Sequence, residues 1–163
     1  MGEDRWSAHT AQWRDPHQIT SWWSDAARTD PALLRHRTRG PFWELIEELG
    51  LTLLVTREYE HLVMSLAPGR RVGFLALPHP SGLAVGEDAV HVAATRNPNQ
   101  LIELRPLDTE DRPLVPVRSR WLPGALYLHD LAFIGGRLHA TAVGQDAIVT
   151  LDYETGWERT WWP

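Results

Sequence analysis

One pattern constrains this chain more than any other: it repeats itself. His79-Pro80-Ser81-Gly82-Leu83-Ala84-Val85 leads into Ala89-Val90-His91-Val92-Ala93-Ala94-Thr95 and Gln100-Leu101-Ile102-Glu103-Leu104. Further on, His129-Asp130-Leu131-Ala132-Phe133-Ile134 leads into Arg137-Leu138-His139-Ala140-Thr141-Ala142-Val143 and Ala147-Ile148-Val149-Thr150-Leu151. Strand, tight turn, strand, short loop, strand is the cadence of a β-propeller blade. Thr56-Arg57 followed by His61–Leu66 echoes Thr95-Arg96 followed by Gln100–Leu104, so a third copy precedes these two.

Read as blades, the second copy predicts strands at Gly82–Val85, Val90–Thr95, Leu101–Leu104 and Val115–Trp121. The third predicts Leu131–Ile134, Leu138–Val143, Ile148–Leu151 and Glu158–Trp162. The first predicts Leu51–Val55, His61–Leu66 and Arg71–Leu77, with a helix standing where its innermost strand would be. The expected fold class is therefore all-β: a partial β-propeller of about three blades with a short helical N-terminal segment. Closed rings need about four to eight blades, and fewer leave raw edges. The chain is expected either to be the N-terminal part of a longer protein or to self-associate through open blade edges. The alternative is a small sandwich built from the same strands.

Residues 1–40 differ from the rest. They form a polar arm whose apolar content is Trp6, Trp13, Trp22 and Trp23, residues that serve as packing anchors or line a ligand cage. The arm packs on the body, packs on a partner or is partly disordered, and Asp30-Pro31 predicts a short helix within it. Residues 41–163 hold the main helix and the blades. That helix is expected over Thr38–Gly50, with Phe42, Leu45, Ile46 and Leu49 on one face and Gly50 ending it.

Composition excludes more than it reveals. A net charge of −5 gives no electrostatic footprint for nucleic acid or an anionic membrane surface. No apolar run approaches the ~20 residues of a membrane span, and the polar N-terminus does not read as a secretory signal, so the expected location is cytoplasmic. The absence of Cys removes disulfides, thiolate nucleophiles and Cys-zinc sites. All 16 basic residues are Arg, which removes Schiff-base and P-loop lysine chemistry.

Residues 128–151, from Leu-His-Asp-Leu-Ala-Phe-Ile through Val-Gly-Gln-Asp-Ala-Ile-Val-Thr-Leu, with Trp161-Trp162-Pro163, carry a specific pattern. Together with Thr95–Leu101 and Val115–Arg120, it resembles a bacterial domain-of-unknown-function family with propeller-like blades. The resemblance covers roughly residues 41 to 163. It implies a propeller whose chain continues into further blades, and it implies no activity.

His79 and His129 are read as opening corresponding innermost strands, where imidazoles can face the mouth of a central channel, and Asp130 adjoins the second. His and Asp are ordinary ligands for a divalent metal, so His79 and His129 are the candidate metal ligands and Asp130 the candidate catalytic base. The competing reading is that each imidazole ties neighbouring blades together. Arg57 and Arg96 each follow a Thr at a strand end. They either clamp a carboxylate or phosphate of a ligand or form salt bridges with Glu58 or Asp88. His91 and His139 correspond on the second strands and read as satisfied interior residues. His61 is expected to meet solvent, and Arg118 and Arg120 to share a solvated face. Ser81 has no Gly-x-Ser-x-Gly context.

The leading functional expectation is a binding scaffold for a small polar, sugar or peptide ligand, held by His79, His129, Asp130, Arg57 and Arg96. A metal-dependent hydrolase, lyase or epimerase and a protein-interaction module are the alternatives.

Overall fold

The computed structural model describes residues 23–95, 99–107 and 113–163. Trp6, Trp13, Trp22 and Arg96 lie outside them. Trp23 packs on the body: its indole Nε1 donates to Gln100 Oε1 at 3.2 Å, and its ring meets the cluster around Val92 and Ile102. Asp30 caps a 3-10 turn over Pro31–Leu34 by accepting from the Ala32 N–H at 2.8 Å. The main helix, α1, spans Phe42–Leu49 and starts later than the sequence suggests. Gly40 sits at φ +62° and Pro41 disfavours helical geometry in the residue before it, so no helix runs through this pair. Gly50, at φ +61°, closes α1 by donating to the Glu47 and Ile46 carbonyls. Only Ile46 of the expected apolar face is buried; Leu45 and Leu49 stay 50% and 62% exposed.

Among the described residues, eleven strands follow in three antiparallel sheets. The first sheet holds β1 (Leu53–Arg57), β2 (Leu62–Ala67) and β3 (Arg71–Ala76) in that order. The second holds β4 (Pro80–Val85), β5 (Val90–Ala94), β6 (Asn99–Pro106) and β7 (Leu114–Leu122). The third holds β8 (Leu128–Ile134), β9 (Arg137–Ala142), β10 (Ala147–Asp152) and β11 (Gly156–Trp161). Every pairing joins neighbours in sequence, because short turns allow antiparallel partners and no crossover. β4 and β8 begin earlier than expected, with register shifts between Pro80 and Leu83 and between Leu128 and Leu131.

The second sheet buries both faces. Val92 pairs with Ile102 and both turn to a cluster with Val63 and Leu77 of the first sheet's side. Ala93 pairs with Leu101, and both turn the other way, against Leu131, Ala140 and Val149 of the third sheet. The period of two along each strand thus assigns alternate residues to two cores. β4 lies against β8, and β1 beside β4. Gly82 makes the first approach possible: a Cβ there would stand 2.8 Å from His129 O and from the Asp130 carbonyl carbon.

Candidate functional site

The stacking brings one end of all three sheets together. Thr56 Oγ1, near the end of β1, donates to Ser81 O at 2.8 Å. Ser81 Oγ, near the start of β4, donates to His129 O at 3.1 Å near the start of β8. The turns 58–61, 77–79, 123–127 and 143–146 therefore gather at this end.

His79 sits here, 6% exposed and held at φ +41°. Its backbone N–H donates to His61 Nδ1 at 3.1 Å, and the two rings meet edge-to-face with centroids 4.3 Å apart. Its Nδ1 lies 4.0 Å from Glu58 Oε1. Accepting at Nδ1 leaves the proton of neutral His61 on Nε2. Burial pushes the His61 pKa below 6.5, outweighing the opposite pull of the Asp25, Glu58 and Glu60 carboxylates. His61 is therefore a half-buried partner of His79 and not the solvent-facing residue expected. Arg57 spends its guanidinium locally: Nη1 donates to Leu33 O at 2.6 Å and Nη2 to Glu60 Oε1 at 3.1 Å. The salt-bridge partner is Glu60, in place of Glu58 or Asp88.

The register corrects one correspondence. Leu83 pairs with Val92 and Leu131 with Ala140, Pro80 with Ala94 and Leu128 with Ala142. Ser81 is therefore the counterpart of His129, and Gly82 that of Asp130. The counterpart of His79 is Tyr127: both have positive φ, 41° and 49°, and their carbonyls accept from Thr95 and Val143. Aligning the two histidines skipped two residues of β4. Asp130 is exposed, and its backbone N–H donates to Thr141 Oγ1 at 3.1 Å. Among the described residues, no three His, Asp or Glu side chains converge as a metal-binding set. A metal on His79 or His129 would need donors from elsewhere.

The opposite end joins His91 and Arg118 to residues without a functional reading in the sequence, Phe133, Arg137 and Tyr153. A cleft of about 370 Å³ opens between the second and third sheets, lined by His91, Arg118, Phe133, Arg137 and Tyr153 among others. His91 Nδ1 lies 3.0 Å from the Tyr153 hydroxyl, and Arg118 stacks 4.0 Å above the Tyr153 ring. Burial lowers the His91 pKa from 6.5 and raises that of Tyr153, so both are neutral near pH 7. Behind them Glu103 is buried. Burial alone would push its pKa up, but hydrogen bonds from Arg105 and Arg118, with their charge, hold it below its ordinary value. Arg118 is thus a partner of a buried carboxylate as well as a surface residue. Tyr153 lies 62 residues from His91, with no local spacing to betray the pair, whereas Arg105 is two residues from Glu103 and Arg118 is its cross-strand partner on β7. His139, the counterpart of His91, faces no such partner; its Nδ1 lies 2.9 Å from Arg137 O in an exposed setting.

No family model matches the chain, and no curated protein matches it. Two solved structures share its arrangement of sheets. A streptogramin B lyase superposes with a TM-score of 0.54 and 17% identity, covering 69% of this chain and 37% of that one. A catalytically inactive histidine-to-alanine virginiamycin B lyase from Staphylococcus aureus, with quinupristin, gives 0.52 and 16%, covering 66% and 36%. The fold is propeller-type. At this identity the likeness shows the fold alone. The chain spans little more than a third of either lyase. No helix among the described residues is long and apolar enough to cross a membrane.

Proposed function

We propose that the chain contributes three blades of a β-propeller and acts as a binding scaffold for a small polar ligand, a sugar or a peptide. The ligand would sit at the channel end where Ser81, His129, Asp130, His79 and His61 gather, with Arg57 bracing the rim; Arg96, the other arginine of this reading, lies outside the described residues. The observation that supports this most is the side-by-side packing of β4 and β8, with Ser81 Oγ bonded to His129 O. It is how innermost blade strands meet around a channel, and it collects imidazole, hydroxyl and carboxylate groups at one mouth. On this reading the first sheet is a blade lacking its innermost strand, and the whole belongs to the bacterial domain-of-unknown-function family that its motifs resemble. Other blades, from a longer chain or another copy, would complete the ring.

A thermal-shift screen of sugars, short peptides and organic acids tests the scaffold, repeated with His129→Ala. A ligand that raises the melting temperature of the wild type but not of His129→Ala, in the presence of a chelator, supports it. A second reading, a metal-dependent hydrolase, lyase or epimerase with His79 and His129 as ligands and Asp130 as base, takes its motive from the lyase neighbours. It requires stoichiometric bound metal that His129→Ala loses. Silence of His129→Ala in both assays would defeat both readings.

A further inference from the structure

The cleft between the second and third sheets lies at the end of the strands away from His79, and the proposed scaffold makes no use of it. Three arginines and four carboxylates border it, Arg105, Arg118 and Arg137 against Glu103, Asp152, Glu154 and Glu158, and the carboxylates differ in how firmly they are held. The two carboxylates nearest it are already engaged. Glu103 is shared by Arg105, at 2.8 Å, and Arg118, at 2.8 Å. Asp152 Oδ1 accepts from the Glu154 N–H, the Thr155 N–H and the Thr155 hydroxyl. The remaining acids that face its arginines are solvent-exposed: Glu154 stands 3.5 Å from Arg118 Nη1, and Glu158 stands 3.7 Å from Arg137 Nη2. Such pairs are worth little and are readily displaced. The walls between these cations are aromatic, with Arg118 stacked on Tyr153 and Phe133 meeting His91 edge-to-face at 5.4 Å.

We propose that this cleft is a second binding site, for a small carboxylate carried on a planar aromatic body. The carboxylate would displace Glu154 and Glu158 and take hydrogen bonds from Arg118 Nη1 and Arg137 Nη2, while Arg118 Nε and Nη2 stay on Glu103. Its ring would lie along Phe133 and Tyr153, offset or edge-on. A bare phosphate leaves the aromatic walls uncovered, and a neutral sugar brings no charge to those two nitrogens. A cleft of about 370 Å³ is in the size range of small-molecule pockets.

Benzoate is the probe. Titrated into the full chain and followed by aromatic NMR and calorimetry, it should bind saturably and shift the His91, Phe133 and Tyr153 resonances. Arg137→Gln, at an exposed position, should weaken it about fivefold to tenfold, the scale of one partly solvated charge-assisted pair, without moving the unfolding midpoint. His129→Ala should leave benzoate affinity unchanged, which separates this site from the channel end. The proposal is overturned by non-saturable shifts, by unaltered affinity in Arg137→Gln, or by inorganic phosphate binding as tightly as benzoate.

Discussion

Replacing Gly82 by Ala tests the packing on which the channel end depends. The added methyl would lie 2.8 Å from His129 O and the Asp130 carbonyl carbon and 2.9 Å from Leu131 N. Those are backbone atoms of β8, inside its register shift, and no side-chain rotation relieves them. The strands must part by more than half an ångström, and overpacking of this kind costs about 1–3 kcal/mol. The smaller entropy of an unfolded chain with Ala returns about 0.4–1 kcal/mol. At the middle of both ranges the net loss should be about 1.3 kcal/mol, or a fall of roughly 3–5 °C in melting temperature for a chain of this size. Gly73→Ala is the control: its methyl meets Ser65 Oγ at 2.6 Å, an atom that can rotate away. Circular dichroism melts of the two variants should differ clearly. A melting temperature for Gly82→Ala equal to or above that of Gly73→Ala would refute the close approach of β4 to β8. The Ser81–His129 contact would then go with it.

Three further outcomes follow from the same geometry. Leu101→Ala, at a fully buried position between the second and third sheets, should cost about 2–5 kcal/mol in urea unfolding, and a cost under about 1 would mean the two sheets do not pack there. Glu103 has a folded pKa below its unfolded value, so its contribution is present above the unfolded pKa and lost as pH falls through the folded one. Glu103→Gln should therefore lower stability at pH 7 and narrow the gap to wild type below about pH 4. His91 has the same sign for a different reason: burial, not ion pairing, lowers its folded pKa, the unfolded state binds its proton more readily, and stability rises with pH towards 6.5 and is complete above it. An NMR titration of the His91 ring should give a midpoint below 6.5, and a midpoint above it would show that the neighbouring Glu103 charge outweighs burial.

The strands were legible because alternation and turn residues are local. The expected Val90–Thr95 and Leu138–Val143 fall within one residue of β5 (Val90–Ala94) and β9 (Arg137–Ala142), and Gly135-Gly136, both at positive φ, turn the chain between β8 and β9. What failed was registration between copies. Lining up His79 with His129 follows residue identity, whereas the pleat follows Leu83-Ala84 and Leu131-Ala132, whose partners on the second strands fix the count. The helix boundary failed for a related reason, since Thr38 and Arg39 carry no signal that outranks Gly40-Pro41. His61 was illegible because its burial comes from His79 and Glu58 folding over it. Glu103 carries no reading of its own in the sequence, and its burial between Arg105 and the cross-strand Arg118 shows only once β6 and β7 are paired.

The corrected register also weighs on how the channel histidines can act. Thr56 reaches the β4 backbone, and Ser81 reaches the β8 backbone, each hydroxyl bonding the carbonyl on the next inner strand. His129 occupies the place of Ser81 one sheet further on. His79 occupies the place of Tyr127, in the turn before its strand, and its ring lies against His61. The two imidazoles therefore stand at different positions, one in the turn before β4 and one inside β8. On the proposed scaffold reading such groups would be spread along a channel wall, an arrangement that suits that reading better than a metal held jointly by His79 and His129. Ser81→Ala checks the progression: it should cost about 0.5–1.5 kcal/mol, the worth of one hydrogen bond, and alter the backbone chemical shifts of His129 and Asp130. Unaltered shifts there would mean that the hydroxyl does not bridge the strands, and the argument against a shared ion would lose its support.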